Sequence, residues 1–482
     1  MVSAGNQHQH PSQDSYAIIL PAGFGKTEYI VNYACEQQRR TLILTHTNAG
    51  VFALKKRLAT KKIDSGFRVL TIASWCESWA SAYPSITQYA SFCDTKNNEP
   101  NVYFNRLYEG MLRLSAKSWF RKTLQASYGS LVVDEYQDCT KSQHALFLEL
   151  KKYIQLVVLG DPLQGIFYWV KNDSLVDWSQ LSIPVKGFTS RPWRWINSGC
   201  PELGRYISDI RTDLLPVLDG HSVQVPLDRG CPNVSIVSPE AIGGFQHWDG
   251  FGTVVYLTSI KNVQYAFSKR HVRFQSNEPI DNKEAVSACF AFDHNQGANL
   301  ALAILDFASL CFSNTTQQLK SYRSRLERGS FDFGRIKKHS AVGFALRQLS
   351  SDASYRDIAA ALDIIREDSS FRLYRGILYS EVKRALRMAT ADGLSASEAL
   401  KAIRSQHRPF EEYASPRLLS SRTVLSKGLE YDTAIVDAIG IKDARDFYVA
   451  ISRCKRRLIL VSNVRTLYFP AIKGAAVKPA LI

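Results

Sequence analysis

Apolar runs bounded by glycine, proline and acidic residues recur along the chain and set out its elements. Tyr16-Ala-Ile-Ile-Leu20 is an uninterrupted run of strand length. It leads into the turn Pro21-Ala-Gly-Phe-Gly25 and then an amphipathic stretch from Lys26 through Ala34. Ser130-Leu-Val-Val133 and Leu156-Val-Val-Leu159 are runs of the same kind, each ending in a polar turn. They alternate with helical stretches, Tyr29 to Gln38 and Ser142 to Tyr153, which predicts an α/β domain with parallel strands and crossover helices. Gly252-Thr-Val-Val-Tyr-Leu257 precedes a helix in the same way. From about 276 to 414 the character turns helical, with stretches at Ala298 to Phe312, Tyr355 to Arg366 and Ser380 to Ala389. Ser395 to Ala402 reads as a capped helix start without chemistry of its own.

The turns that end the strands carry the candidate chemistry. Strand, glycine-rich turn and helix follow one another around Gly23, Phe24 and Gly25 in the order of a phosphate loop. Glycine lets the backbone amides curl around phosphate oxygens, and the helix N-terminus adds partial positive charge. Lys26 is then expected at the terminal phosphates of ATP and Thr27 at Mg2+. Leu20 stands at the first position of the usual Gly-x-x-x-x-Gly-Lys-Ser/Thr pattern, where glycine is customary. The second run ends in Asp134-Glu135-Tyr136-Gln137-Asp138, placing two carboxylates at the strand edge where open α/β sheets bind ligands. Asp134 is expected to hold magnesium and Glu135 to orient and deprotonate the attacking water. The third run ends in Gly160-Asp161-Pro162-Leu163-Gln164, so that Gln164 can sense a γ-phosphate at the same site.

Composition narrows the setting. At 482 residues the chain exceeds a single hydrophobic core, so two or more packed units are expected. Lys and Arg number 60 against 44 Asp and Glu, a formal net charge of +16 that favours a polyanionic partner, with nucleic acid first. No long apolar stretch indicates a membrane span, and the Gln- and His-rich start has no apolar core of a signal peptide, so a cytoplasmic protein is expected. Nine scattered cysteines without a Cys-x-x-Cys pair read as free thiols rather than a metal site.

The DEYQD box and the later GDPLQ, in this order after PAGFGKT, resemble the UvrD/Rep/PcrA-type superfamily 1 DNA helicases. Further boxes follow in the family's order. Leu44-Thr-His-Thr-Asn48 and Thr71-Ile-Ala-Ser-Trp75 resemble its DNA-contacting segments, and Phe188 to Asn197 its motif IV. Ser426 to Asp432 resembles motif V, and Phe447 to Arg453 motif VI. The resemblance implies two RecA-like P-loop NTPase domains with parallel sheets, ATP between them, and helical inserted subdomains. The expected boundaries are 1–188 for the first domain (1A), with a small 1B insert at about 76–125, and 189–275 for the first part of the second (2A). A helical 2B-like insert at 276–414 and the second part of 2A at 415–482 would complete the chain.

By similarity, the first domain supplies Lys26, Thr27, Asp134, Glu135, Gln137 and Gln164 to the ATP site, and the second Arg194, Lys427, Glu430 and Arg453. Trp193 takes the place of the aromatic that stacks on adenine, and Glu430 would accept the ribose hydroxyl. Arg194 and Arg453 would stabilise charge building on the γ-phosphoryl oxygens. The aromatic cluster Phe167-Tyr168-Trp169 reads either as core or as a platform for unpaired bases. Family position makes Phe167 and Trp169 the stacking candidates. Thr47, Asn48, Ser74 and Trp75 would add DNA contacts.

Departures from the family pattern are Ala73 and Val424, where relatives often carry His, and Glu28, where Arg often follows the Lys-Thr. The adenine-reading glutamine is left among Gln7, Gln9 and Gln13. The expected function is an ATP-driven translocase or helicase on single-stranded DNA or a single/double-strand junction, moving 3′ to 5′. Service as the motor partner of a nuclease in DNA repair or antiphage defence belongs to the same expectation. The alternative from another class is a nucleotide-gated DNA sensor or recruiting switch with little unwinding. A small-molecule P-loop kinase leaves motifs IV to VI unexplained. Basic segments in the insert, Lys320 to Arg328 and Arg335 to His339, read as a solvated face or a duplex or partner contact.

Overall fold

The computed structural model describes residues 14–61, 66–96, 99–167, 173–244, 250–271, 273–278, 283–405 and 416–472. Two compact units divide the chain. The first comprises 1–239, 427–432 and 441–482, and the second 240–426 and 433–440.

The first unit is built on five parallel strands, β1 (Tyr16–Ile19), β2 (Thr41–Thr45), β3 (Phe67–Thr71), β4 (Ser130–Val133) and β5 (Gln155–Gly160), in the order β1-β5-β4-β2-β3. Their continuous apolar runs are those of strands covered on both faces. Ile18, Ile43, Val132 and Val157 face the core beneath α1 (Lys26–Glu36) and α2 (Asn48–Thr60). The alternate residues Ala17, Leu42, Leu44, Leu131, Val133, Leu156 and Val158 face the other core. That core is closed by α3 (Ile72–Ala82), α4 (Pro84–Thr87), α5 (Pro100–Ser115), α6 (Ser118–Ser127) and α7 (Lys141–Leu150). Because β1, β5 and β4 are adjacent and parallel, the turns after all three emerge side by side at one sheet edge.

Further elements complete this unit. They are α8 (Trp193–Asn197), α9 (Pro201–Leu214), β6 (Val223–Pro226) and β7 (Val234–Val237), with α19 (Ala444–Ile451), β14 (Cys454–Val461) and β15 (Thr466–Phe469) from the C-terminal stretch. β7 pairs with β14 in parallel, and β6 with β15 antiparallel.

In the second unit β8 (Val254–Thr258), β9 (Gln275–Ser276) and β12 (Leu418–Arg422) join residues 433–437 of β13 (Tyr431–Asp437) in a parallel arrangement, β13-β8-β12-β9. α10 (Lys261–Arg270) packs on β8 and β12. The helical stretch holds α11 (Lys283–His294), α12 (Gly297–Cys311), α13 (Thr315–Gln318), α14 (Lys320–Leu326), α15 (Ser340–Gln348), α16 (Tyr355–Glu367), α17 (Gly376–Asp392) and α18 (Ala396–Ser405). The short antiparallel pair β10 (Phe312–Ser313) and β11 (Arg372–Leu373) lies among them. These helices share a core of their own, including Phe292, Ile304, Leu346, Leu362 and Leu386. The architecture is α/β with parallel sheets, as expected for RecA-like domains, and inserted helices.

Two polar devices fix the helices of the second unit. Ser395 Oγ accepts the amide of Glu398 at 3.1 Å while Glu398 accepts the amide of Ser395 at 3.0 Å, the cap that the SASE sequence foreshadows, and Asp293 accepts the amides of Ala396 and Ser397 at 2.8 and 3.0 Å. Arg375, 1% exposed, bonds through its guanidinium to both Glu278 and Glu284 and lies 4.4 Å from the ring centroid of Tyr265. Glu278 also accepts the amide of Leu378 at 3.0 Å. This cluster ties α17 to the segment after β9 and to α11.

Burial raises the carboxyl of Glu278 above its usual range even beside Arg375. Arg375→Ala leaves that carboxylate buried without its cation, an expected loss of about 3 to 5 kcal/mol. A carboxyl raised in the folded state costs stability above its folded pKa and nothing below its unfolded one, so the deficit should shrink as pH falls. Urea midpoints of the variant and wild type at neutral and mildly acidic pH check both statements; equal midpoints would remove the cluster from the account.

Candidate active site

All the residues assigned to the nucleotide that the structure describes fall in the first compact unit, although they come from distant parts of the chain. The phosphate loop starts after β1 and ends at Gly25, the N-cap of α1, whose φ is +89°; Gly23 has φ +75°. α1 begins at Lys26, so the first amides of an 11-residue helix point out of the loop without intrahelical acceptors. Lys26 Nζ donates to the carbonyl of Leu20 at 3.2 Å. Thus the residue standing in place of the first glycine serves through its backbone oxygen. Thr27 follows in the first turn of α1, and Phe24 is half-buried.

Residues 190–195 lie directly on this loop. The amide of Arg194 donates to Gly23 O at 3.1 Å, and Ser190 Oγ donates to Phe24 O at 2.6 Å. A Cβ on Gly23 would meet the Trp195 ring at 2.8 Å, and one on Gly25 would meet the Trp193 ring at 3.3 Å. Trp195 is buried and donates its indole N–H to Cys454 O, whereas Trp193 is 45% exposed beside Gly25.

The acidic box sits at the end of β4. The amide of Asp134 is bound by Leu44 O, and its carboxylate accepts the amide of Glu135 at 2.9 Å. Glu135 has φ +53°, a left-handed conformation seldom taken by a non-glycine residue and typical of sites where geometry is over-determined. Gln137 reaches both ways: its amide N–H bonds Glu135, and its oxygen accepts the amide of Asp161 at 3.0 Å. Burial and the adjacent Glu135 push the Asp134 carboxyl up. Burial would do the same to Glu135, but the charges of Lys26 and Lys427 and the Gln137 bond outweigh it and hold that carboxyl low. Of the two acids, Glu135 is the one kept ionised.

The turn after β5 is fixed by a buried ion pair. Asp161, 0% exposed, takes Arg211 of α9 at 3.0 and 3.3 Å and the side-chain amide of Gln164 at 3.2 Å. Tyr448 of α19 accepts the amide of Ala22 through its hydroxyl at 3.0 Å, so motif VI touches the phosphate loop. Lys427 donates to Gln164 O at 2.6 Å and to Asp138, and lies 5.1 Å from the ring centroid of Phe167. Burial raises the Asp138 carboxyl to about 7, with Lys427 acting against it.

Arg194 bonds Ser452 O and pairs with Glu430 at 2.7 Å. Arg453, 3% exposed, donates to Val449 O at 2.9 Å and to Ser452 Oγ at 2.7 Å. Burial and the neighbouring Arg194 charge lower its guanidinium to about 10. The structure therefore brings Lys26, Asp134, Glu135, Gln137, Gln164, Arg194, Lys427, Glu430 and Arg453 into one network with the loop glycines. Arg194 and Glu430 engage each other, and Lys427 engages Gln164, Asp138 and Phe167.

The expected DNA contacts are placed less uniformly. Thr47 and Asn48 are exposed at the start of α2, where Thr47 Oγ accepts the amide of Gly50. Ser74 is half-buried in the first turn of α3, capped by Thr71. Trp75 departs from expectation: it is 1% exposed and packed in the core beneath the sheet, so its ring offers no face to a base. The side chain one position after Ser74 on a helix points to a different face, and here that face is the core. Trp169 and Tyr168, like Gln7, Gln9 and Gln13, lie outside the described residues. His46, between β2 and Thr47, sits 3.5 Å from Cys139 Sγ, and burial and the Lys427 charge lower its imidazole to about 4, so it is neutral at physiological pH.

Arg211 is the site residue without a sequence signal, one basic position on an amphipathic helix. Asp161 belongs to the GDPLQ box and Tyr448 to the segment Phe447 to Arg453, but the fold alone gives them their partners. Among the described residues no cluster of His, Cys, Asp and Glu has the makings of a separate metal site, and no helix is long and apolar enough to cross a membrane.

Comparison with known proteins adds two findings. Residues 76–175 match the family model described as UvrD/REP helicase N-terminal domain, a segment holding the DEYQD and GDPLQ boxes. The Gabija protein GajB of Bacillus cereus is 31% identical over 86 residues, 17% of this chain and 17% of that protein's length.

Tyr448→Phe leaves the Ala22 amide without its acceptor, at an expected cost of about 1 to 3 kcal/mol. The variant should show a lower denaturation midpoint and weaker binding of a fluorescent ATP analogue. Wild-type values for both would refute the hydroxyl's role.

Proposed function

We propose that this UvrD/Rep-type chain is an ATP-dependent translocase or helicase on single-stranded DNA, moving 3′ to 5′. The observation that carries the reading is the meeting of three distant segments at one strand edge. Residues 190–195 lie on the phosphate loop, Tyr448 bonds Ala22, and Lys427 bonds Gln164.

The residues fit a Mg2+-bound nucleoside triphosphate. The loop's two left-handed glycines and the open amides of α1 form a cradle for phosphate oxygens, with Lys26 beside them. ATP supplies the phosphoanhydride bond to be broken and Mg2+ the charge that neutralises its oxygens. Thr27 and Asp134 would hold the ion, the latter being a carboxyl for which a bound cation offsets burial. Glu135, kept ionised and aimed by Gln137, takes a proton from the attacking water. Arg194 and Arg453 stabilise the developing charge, Trp193 stacks on the base, and Glu430 takes the ribose hydroxyl on release from Arg194.

Gln164 and Lys427 connect this chemistry to the strand. Lys427 touches the phosphate-sensing residue through its carbonyl and Phe167 through its ring, so a change at the phosphates moves a side chain expected to stack on a base. Thr47, Asn48, Ser74 and Trp169 would complete the contacts. Work beside a nuclease in DNA repair or antiphage defence is a further part of the proposal, supported by the partial likeness to a Gabija protein. Absence of any nuclease on purification from the native host would count against it.

Glu135→Gln should retain ATP binding and lose turnover. Arg453→Lys, chosen because alanine would empty a buried position, should lose roughly 10³ to 10⁵ in rate while DNA affinity stays close to wild type. Normal turnover in either sinks the assignment. Strand displacement on a 3′-tailed duplex separates motor from switch: robust DNA-stimulated ATPase with no displacement would favour a nucleotide-gated sensor.

A further inference from the structure

A line of aromatic side chains runs outward along α3, outside the network described above. Trp75 and Trp79 share one helix face, Tyr83 follows as the C-cap residue, and exposure rises along the three from a buried Trp75 to Tyr83 at 36%. Trp79 stacks on Tyr83 with centroids 6.0 Å apart, and Tyr83 meets Trp119 of α6 at 4.6 Å. Trp119 is 37% exposed, while its neighbour Phe120 is buried against Trp79. Two large rings thus lean on each other at the surface, each backed by a further aromatic ring and each more than a third exposed.

The stretches of chain that carry the two rings are basic or uncharged. From Met111 to Val133 the sequence holds Arg113, Lys117, Arg121 and Lys122 and no Asp or Glu; from Ser78 to Cys93 it holds no charged residue at all. Lys117 and Trp119 open α6, and Lys122, three residues after Trp119, shares its face. Two acids from neighbouring segments are already engaged. Glu149 contacts Arg121 and Lys152, and Glu77 takes Lys96 and Tyr103.

We propose that Tyr83 and Trp119 form an outlying stacking step for single-stranded nucleic acid, with Lys117 and Lys122 on its phosphates. The inference rests on the strand-binding function proposed above and extends it. Ser74, at the sheet edge, lies in the first turn of α3, and Tyr83 is that helix's C-cap residue, nine residues or about 14 Å along the axis. A strand leaving that edge along α3 arrives at the paired rings. Flat, sequence-blind rings beside lysines that have no ion-pair partner among the described residues suit a polyanion whose bases are free to stack. A protein surface acidic enough to meet the lysines is the competing occupant, and the test below separates it.

Fluorescent oligothymidylates of increasing length are titrated against the full chain and against Tyr83→Ala/Trp119→Ala, alongside the same oligomers with abasic residues. The double variant should lose roughly 5- to 150-fold in affinity for long oligomers, the equivalent of one stacked base, and nothing for the shortest. Abasic substitution should weaken the wild type more than the variant, and Trp119→Phe should restore most of the loss. Basal ATP hydrolysis without DNA should stay at the wild-type rate, showing an intact fold. Wild-type affinity at every length in the double variant overturns the proposal, as does an equal loss for normal and abasic oligomers. Failure of the wild type to bind any oligomer sinks the strand-binding reading itself.

Discussion

The candidate nucleotide site is organised around one buried ion pair, Asp161 with Arg211. Removing a carboxylate wholly from water is unfavourable unless its oxygens are fully used, and here they are. Arg211 takes both, Gln164 donates its amide to one, and the Leu163 amide caps the turn. The carboxyl is held below its usual range because the guanidinium charge outweighs burial. A turn fixed in this way presents the Gln164 carbonyl to Lys427, and its first amide binds Gln137, which in turn holds Glu135. Four stretches of chain thereby acquire mutual positions that none could hold alone.

Much of this was legible in the sequence, because its signals were local. Apolar runs ending in glycine or acid marked β1, β4 and β5, and a strand followed by a helix fixes the parallel direction. The 3.6-residue pattern placed α12 and α16 within a residue or two of their observed ends. The phosphate loop and the acidic box are chemical statements made by five or six neighbouring residues, so they survive without coordinates. Arg211 and the hydroxyl of Tyr448 act across the fold, and no neighbour in sequence announces them. Trp75 shows the opposite failure: a box shared with DNA-contacting segments suggested a surface role, while helix phase turned the ring into the core.

The second unit shows how a long helical stretch is held without borrowing the first unit's core. Its apolar interior is its own, and it is tied to the adjoining strand segment by polar bonds: Arg375 between two glutamates, Gln275 donating its side-chain amide to Leu373 O, and the Ser276 amide donating to Tyr374 O. Directional bonds of this sort fix orientation, where apolar packing alone tolerates sliding. The cost is a carboxyl, Glu278, kept in an environment that disfavours its charge.

The close seat of Trp195 and Arg194 on Gly23 alters how genetic data on this loop should be interpreted. In a phosphate loop the absence of a side chain is ordinarily explained by the ligand that must approach. At Gly23 the polypeptide itself fills the space, with an aromatic carbon 2.8 Å from where a methyl group would stand. Any larger residue displaces the Trp-Arg-Trp segment before a ligand arrives. A deep mutational scan would thus score position 23 as intolerant even under selection for folding alone, and intolerance there is no measure of phosphate contact.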